Sequence, residues 1–600
     1  MRVDIRTTAD GFQGWIESAT NPIAVDTETT GLDIFSPGFK VRMVQFGDRD
    51  VAYVLNAEEH FQAIKEALSK TDRKFVLHNA PFDLLALDQA GLANLEILEG
   101  RVFDTRIMAH LLDPRSESEG GLGHSLKKLA KTWVDSTATD GQEELQAEFR
   151  KNGWKKEEGW AKIDTRNPVY THYAGMDVIL TRRLFDELKP MVFGIGAQHL
   201  LKFELHLMQL LCRMQRRGMR IDVPYTQSLH GRLGMEAAEY TALAEQYGVE
   251  KIGSGAQVAN ALLAMGETLT EQTPSGAYKV DRAVLLPLAD LDAQWNRLGL
   301  REPNPLADAI LRAKRADKWS VAYTGALLDL KDDDDRVHPW INSLQARTAR
   351  MSVSRPPLQQ LPSGDWMIRR AFVADPGQVM IAADYSQIEM RVLAALSGDE
   401  AMIEAITSGV DLHDYTAEKL FGPTFTKTQR KLAKGVGFGK VYGGGAETLS
   451  RQTGAGIGDV RRAIQAYDET FKGIKRYSQG LMESAQYGKR EVVTVTGRHL
   501  PLDRDRLYAA TNYVVQSTAR DVMAQAIVNL FDAGLGDYLL LPIHDEVIGE
   551  APEGEAQEVI DSIQEVMRGN GFQGLPLDTD GEVVGTSWGH AYGAPKEATV

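Results

Sequence analysis

A single cysteine, Cys212, occurs in the 600 residues. That excludes an intrachain disulfide and any cysteine-built zinc cluster. No apolar run is long enough to cross a bilayer, and the opening MRVDIRTTADGF lacks the apolar stretch of a secretory signal. Positive charge is also short: 67 Lys and Arg stand against 83 Asp and Glu, a net charge of −16. A non-specific nucleic-acid coat would be basic. An enzyme with acids in metal sites and a local basic cleft is compatible with this total. Repeats and low-complexity blocks are absent as well. These absences lead us to expect a soluble chain in a reducing, cytoplasmic setting, with no membrane partner. What is present is ordinary globular composition, 43% hydrophobic and 25% charged, in a chain too long for one core.

Residues 1 to about 190 alternate short apolar strands with helical stretches, as in NPIAVDTETTGLD and RKFVLHNAPFDLLALDQAG. That alternation predicts an α/β domain. From about residue 197 the pattern turns helical, with HLLKFELHLMQLLCRMQRRGMRID ending its helix at Gly218. The domain boundary is expected near Pro190 to Gly196. Residues 137–165, polar and charged, read as a surface excursion without chemistry, and Asp332 to Asp335 as a solvated turn.

Two sets of acids carry the chemistry. In AVDTETTGL, Asp26 and Glu28 lie two apart on a predicted strand and so share a face. HNAPFDLLAL adds Asp83 at the start of an apolar helix, and YAGMDVIL adds Tyr173 and Asp177 one helical turn apart. Four carboxylates and a phenol suit metal-assisted phosphodiester hydrolysis, with Tyr173 placed to orient the attacking water. Asp104, in VFDTRIMAHLLDP, reads better as a helix cap.

The second set begins with GQVMIAADYSQIEMRVLA, an apolar strand ending in Asp384 before a helix bearing Glu389 and Arg391. LLLPIHDEVIGE holds His544, Asp545 and Glu546 between apolar runs. Read alone, it is a hairpin with solvated acids. If the two strand ends meet, Asp384 and Asp545, with the carbonyl of Tyr385, form a site for two Mg²⁺ about 4 Å apart. Such a site suits nucleotidyl transfer, which needs cations near a triphosphate. RKLAKGVGFGKVYGGG supplies them, since Arg430, Lys434, Phe438 and Tyr442 recur every four residues along one helical stripe. Gly435, Gly437 and Gly439 in that helix imply close packing or a helix that must move. The context of a phosphate-binding P-loop is missing.

DTET, HNAPFD and YAGMD resemble, in order and spacing, the three motifs of 3′→5′ proofreading exonucleases with a ribonuclease-H-like fold. The resemblance implies metal ligation by Asp26, Glu28, Asp83 and Asp177, and contacts of Leu32 and Asn79 with a single-stranded primer end. Residues 197–600 resemble the polymerase region of family A DNA polymerases, through DYSQIEMR, RKLAKGVGFGKVYGG, IHDEV, GVDLHDYTA, TVTGRHLPL and TNYVVQSTARD. The expected fold is thus an α/β exonuclease domain over 1–192, then an α+β right-hand polymerase over 193–600. Its thumb would span about 197–335, its palm about 336–403 and 500–600, and its fingers about 404–499.

The resemblance further implies that Asp384 and Asp545 bind the metals, with Glu546 an accessory acid. It implies that Arg430, Lys434 and His413 hold the triphosphate, that Gln387, Ile388 and Glu389 line the nucleotide site, and that Phe438 and Tyr442 face sugar and base. Arg350, Gln359, Asn512, Gln516 and His544 match positions that touch primer or template. Glu389 stands at the steric gate against a ribose 2′-hydroxyl, and Phe438 implies discrimination against chain terminators. The implied cofactor is Mg²⁺, with Mn²⁺ as substitute. The implied partners are primer–template DNA and deoxynucleoside triphosphates, with a processivity factor left open, for a monomer. Pro357, Gly435, Gly437, Tyr508 and Ser517 depart from the family pattern and touch template grip and finger flexibility. With no room before Asp26 for a 5′ nuclease domain, the expected architecture is that of bacteriophage replicative polymerases. Two alternatives are a single-subunit RNA polymerase, which Glu389 and the proofreading acids oppose, and a non-catalytic DNA-binding scaffold, which the intact acid sets oppose.

Overall fold

The computed structural model describes residues 3–137, 141–292, 295–362, 364–442 and 444–595; the side chains of 438 and 440–442 lie outside the described set. The stretch IAVDTET forms β2 (Ile23–Thr29), buried along nearly its whole length. It sits inside a six-stranded sheet of order β1-β4-β3-β2-β5-β6, with β1 Asp4–Arg6, β3 Val41–Gly47, β4 Val51–Asn56, β5 Phe75–Leu77 and β6 Val102–Asp104. β2 runs antiparallel to β3 and parallel to β5, which runs parallel to β6. Parallel neighbours need a crossover; helix α1 (Pro81–Gln89) follows β5 and α2 (Thr105–Leu112) follows β6.

The long helix α3 (Pro168–Gly194) lies across β2, β3 and β4. Its start combines a proline in the first turn with Asn167, whose side chain accepts from the Val169 amide at 2.9 Å.

The polar stretch before α3 is not a surface excursion. It forms helices Gln142–Lys151 and Lys156–Lys162. Leu145, Phe149 and Ile163 are buried with Met43, Val54, Tyr170 and Ala174. A sparse apolar face is enough for burial when a neighbouring sheet receives it, even in a segment that is charged overall.

Helix α4 (Gln198–Arg217) ends at Gly218, as its left-handed φ of 66° favours. Further along, β7 (Gln378–Tyr385) precedes α5 (Ile388–Ser397), α6 (Leu412–Phe421), α7 (Lys427–Tyr442), α8 (Ala446–Thr453) and α9 (Ala510–Asp532). The hairpin β8 (Leu539–Ile543) and β9 (Glu546–Pro552) and the strand β10 (Thr579–Gly585) complete a four-stranded sheet of order β8-β9-β7-β10.

By contacts the chain forms two units. One comprises Met1–Gly218, Trp340–Val353 and Gly377–Val583, so it holds the six-stranded sheet and all of the four-stranded one but the end of β10. The other comprises Met219–Pro339, Ser354–Pro376 and Val584–Val600. There, helix Val223–Glu245 packs along helix Pro305–Lys318, and Val258, Leu262, Leu285 and Ile310 build a separate core.

Within the first unit, the short segment Trp340–Val353 is held from two directions. His110 Nε2 lies 3.1 Å from the Ala346 carbonyl, Arg106 donates to Gln345 at 3.0 Å, and Arg347 donates to the Glu119 carbonyl at 3.2 Å. Arg347 also donates to Asp503 at 3.1 Å and Tyr513 at 3.2 Å, and Thr348 to Gln516 at 2.7 Å.

Candidate active sites

Strand β2 projects Asp26 and Glu28 from one face, and α3 lays Asp177 over them. One carboxylate oxygen from each of the three lies within 4.8 Å of the others. Burial raises the pKa of Asp26 and of Glu28 well above the carboxylate range, and Asp177 and the other neighbouring acids add to it. Thr27, between them, faces the other way and serves Asp83: its amide donates to Asp83 Oδ1 at 2.9 Å and its hydroxyl at 2.7 Å. Asp83 thus stands beside the trio rather than in it. Burial pushes its pKa up to about 7, and its charge is a cause of the rise at Asp26.

Tyr173 directs its hydroxyl at Asp177; burial first, then Asp177, keeps that phenol protonated. The Tyr173 ring lies 5.8 Å from that of Trp160. Leu32 is 67% exposed. Asn79 has a left-handed φ of 68°, and its amide donates to Asp104 at 3.0 Å. Asp104 does cap α2, accepting from the Arg106 amide at 2.7 Å, and it holds the Ala80 amide at 2.8 Å too.

Several residues at this site escaped the sequence reading. Tyr170 donates to Glu28 at 3.3 Å, and Arg42 sets its guanidinium over the Tyr170 ring while donating to the Trp160 carbonyl at 2.6 Å. Arg and Tyr spaced through a chain give no local signal; the contacts arise only when α3 crosses the sheet.

The second acid set meets through strand pairing. β7 runs antiparallel to β9 with Asp384 opposite Glu546, and the Tyr385 amide donates to the Asp545 carbonyl at 3.1 Å. His544 turns the β8–β9 hairpin with a left-handed φ of 58°. Burial, then the charges of Asp545 and Asp580, push the Asp384 pKa up to about 6; burial raises Asp545 as well. Asp580 is an acid the sequence reading missed. It arrives on β10, nearly two hundred residues beyond Asp384, and accepts from the Ser386 hydroxyl at 2.6 Å.

A cavity of about 300 Å³ adjoins these acids, with Arg350, Gln387, Ile388, Glu389, Gln516, His544 and Asp545 on its wall. Arg350 pairs with Glu389 across it. Gln387 holds a left-handed φ of 55° at the start of α5, and Tyr385 buries its ring and donates to the Met567 carbonyl at 2.6 Å. Asn512 lies on α9 with its Nδ2 buried and, among the described residues, unpartnered. Beneath the cavity, Arg520 joins a buried cluster with Arg498, Glu204 and Asp521.

Arg430 and Lys434 lie on α7. Arg430 pairs with Asp414 and, at 3.0 Å, with Asp411. His413 is buried close to Lys434; burial and then the Lys434 charge lower its pKa. Phe438 and Tyr442 belong to the same helix, but their side chains lie outside the described set. Gln359 lies in the other unit.

The glycines of α7 have different reasons. A Cβ at Gly435 would lie 2.6 Å from Thr453 Cγ2, and one at Gly439 would lie 2.5 Å from Leu449 on α8. At Gly437 the nearest atom is 3.7 Å away, so close packing does not require that glycine.

Two sequence families account for most of the chain. The one described as 3'-5' exonuclease matches residues 3–192, and DNA polymerase family A matches residues 224–590. The protein is an enzyme in which an exonuclease domain is followed by a DNA polymerase domain. It is 40% identical to the DNA polymerase of Mycobacterium phage D29 over 593 residues, covering 98% of this chain and 96% of that one. It is 32% identical to DNA polymerase I of Chloroflexus aurantiacus, covering 82% of this chain and 52% of the relative. The chain belongs to DNA polymerase family A. Among solved structures, the POL domain of Pol1 from M. smegmatis, in complex with DNA primer-template and dNTP, superposes with a TM-score of 0.78. At 23% identity, over 98% of this chain and 100% of that one, that is a likeness of fold.

Proposed function

We propose that this polymerase extends a primer 3′-hydroxyl on a DNA template with deoxynucleotides, and that the exonuclease domain removes mismatched 3′ ends, in the replication of bacteriophage DNA. The observation that carries the reading is the presence of two separate sets of acids, Asp26, Glu28 and Asp177 in one, with Glu28 buried and the others half-buried, and the half-buried Asp384 and Asp545 in the other. In each, desolvation first and then the neighbouring carboxylates raise the proton affinity. Hard oxygen donors whose mutual repulsion needs compensation fit a hard divalent cation, Mg²⁺ or Mn²⁺. When bound, a pair of such cations activates the attacking oxygen and stabilises the leaving one.

The chain's own residues do the rest. Asp384 and Asp545, with the Tyr385 carbonyl, would hold the metals of polymerisation, and Asp26, Glu28 and Asp177 those of editing, with Asp83, tied to Thr27, beside them. Arg430, Lys434 and His413 bind the triphosphate. Glu389, pinned by Arg350, narrows the cavity where a 2′-hydroxyl would sit. Phe438 and Tyr442 face the incoming nucleotide. Arg350, Gln359, Asn512, Gln516 and His544 grip primer and template. Tyr173 orients the hydrolytic water, and Leu32 and Asn79 receive the frayed end. Residues 1–192 form the exonuclease domain, 197–335 the thumb, 336–403 and 500–600 the palm, and 404–499 the fingers. The enzyme works as a monomer in the host bacterial cytoplasm, a setting the phage relatives support.

Primer extension on matched and mismatched ends tests the reading. Asp545→Ala should abolish extension and spare excision, while Asp26→Ala should abolish excision and spare extension. Equal extension by wild type and Asp545→Ala, or joint loss of both activities in Asp26→Ala, refutes it.

A further inference from the structure

Strand pairing sets Gln45 on β3 directly opposite Asp26 on β2. Opposite residues of an antiparallel pair leave the same face of the sheet, with Cβ atoms about 5 Å apart. Helix α3 covers that face. Two residues along β3, a Cβ at Gly47 would meet Val178 Cγ2 at 2.7 Å; two residues the other way, Met43 packs with Tyr170 and Ala174. Gln45 is enclosed between these contacts, under the turn of α3 that carries Asp177, and is 0% exposed.

Among the described residues, neither its Oε1 nor its Nε2 has a hydrogen-bond partner. A buried amide with both ends unmet is rare and costly, and an apolar side chain of equal length would avoid the cost. Glu28 shows what the neighbouring acid has already gained, since the Tyr170 hydroxyl donates to its Oε2.

We propose that Gln45 is a positioning residue of the exonuclease site, whose Nε2 donates to the Asp26 carboxylate when that carboxylate ligates a divalent cation. This rests on the reading of Asp26, Glu28 and Asp177 as the editing acids. A ligating carboxylate is oriented by donors to the oxygen that the metal leaves free. A carboxamide does this without a positive charge to oppose the cation, as lysine would.

Gln45→Met keeps the length and removes both polar atoms. In a full-length Asp384→Ala, Asp545→Ala background, which silences the polymerase acids, three readouts separate the roles. The Mg²⁺ concentration giving half-maximal removal of a 3′ nucleotide from single-stranded DNA should rise about tenfold or more. Mn²⁺ binding followed by electron paramagnetic resonance should weaken by the same factor. The thermal midpoint in chelator should hold or rise, because an orphaned amide has been removed. Unchanged metal dependence overturns the proposal, and so does a midpoint in chelator that falls. Asp26→Ala keeps the two readings apart: if it still excises, the site assignment fails, whereas if it is inactive and Gln45→Met behaves as wild type, only the role of Gln45 fails.

Discussion

Removing one charge from the buried cluster at Glu204 should cost far more than removing one from a surface pair of similar length. Glu204 is 0% exposed and accepts from Arg498 and Arg520, the second contact including Nη2 at 2.8 Å. Asp521 accepts from the same two guanidiniums at 2.8 and 3.0 Å. Two cations are therefore balanced by two anions, and Glu204→Gln leaves two buried cations sharing one carboxylate. Breaking a buried pair in this way costs about 3–5 kcal/mol.

The cluster joins α4, the turn before Arg498 and α9, so amide exchange in α9 should quicken by about a hundred- to a few-thousandfold, at about 1.4 kcal/mol per decade. Lys162 and Glu158 lie 2.7 Å apart at the surface, and Glu158→Gln should leave exchange where it was. Burial raises the pKa of Asp521, but Arg498 and Arg520 outweigh burial and hold it below the usual range. Its contribution is therefore present above the ordinary carboxylate pKa and fades as pH falls through the lowered one. Quickening of less than about tenfold in Glu204→Gln would refute the balance of charges drawn here.

Three further outcomes are expected. Tyr170→Phe removes the donor to Glu28 and should slow excision by about tenfold while extension stays at wild-type rate; equal excision rates in a single-turnover assay would contradict it. Burial holds the His78 imidazole neutral with its pKa lowered to about 4, so its share of stability is whole above about pH 6.5 and declines as pH falls towards 4. His78→Gln should flatten that slope in urea midpoints, and superimposable profiles would count against the assignment. Gly437→Ala should stabilise α7 by about 0.4–1 kcal/mol, while Gly435→Ala should destabilise it, since Thr453 cannot turn away without losing its hydroxyl bond to the Leu449 carbonyl. Denaturation midpoints of the two variants moving the same way would refute the distinction.

The acids were readable because their spacing is local. Two residues apart on a strand, four apart on a helix and adjacent at a strand turn are patterns a short window contains. Asp83 was placed correctly at a helix start, but its tie to Thr27 depends on which face of β2 each residue takes. Gln45 and Tyr170 gain meaning only from the β2–β3 register and the path of α3, which bring residues from three distant stretches together. Asp580 reaches Asp384 through a strand supplied near the chain end. The helices of 142–162 escaped notice because their few apolar residues, Leu145, Phe149 and Trp160 among them, are diluted by charges.

The segment Trp340–Val353 carries a practical consequence for anyone wishing to silence editing. Excising residues 1–192 would strip Ala346 of His110, Gln345 of Arg106 and Arg347 of the Glu119 carbonyl, from the same short stretch that presents Arg350 to Glu389. The amputated enzyme would lose scaffolding along with an activity. Asp26→Ala, which the proposed assignment expects to abolish excision, touches none of those contacts.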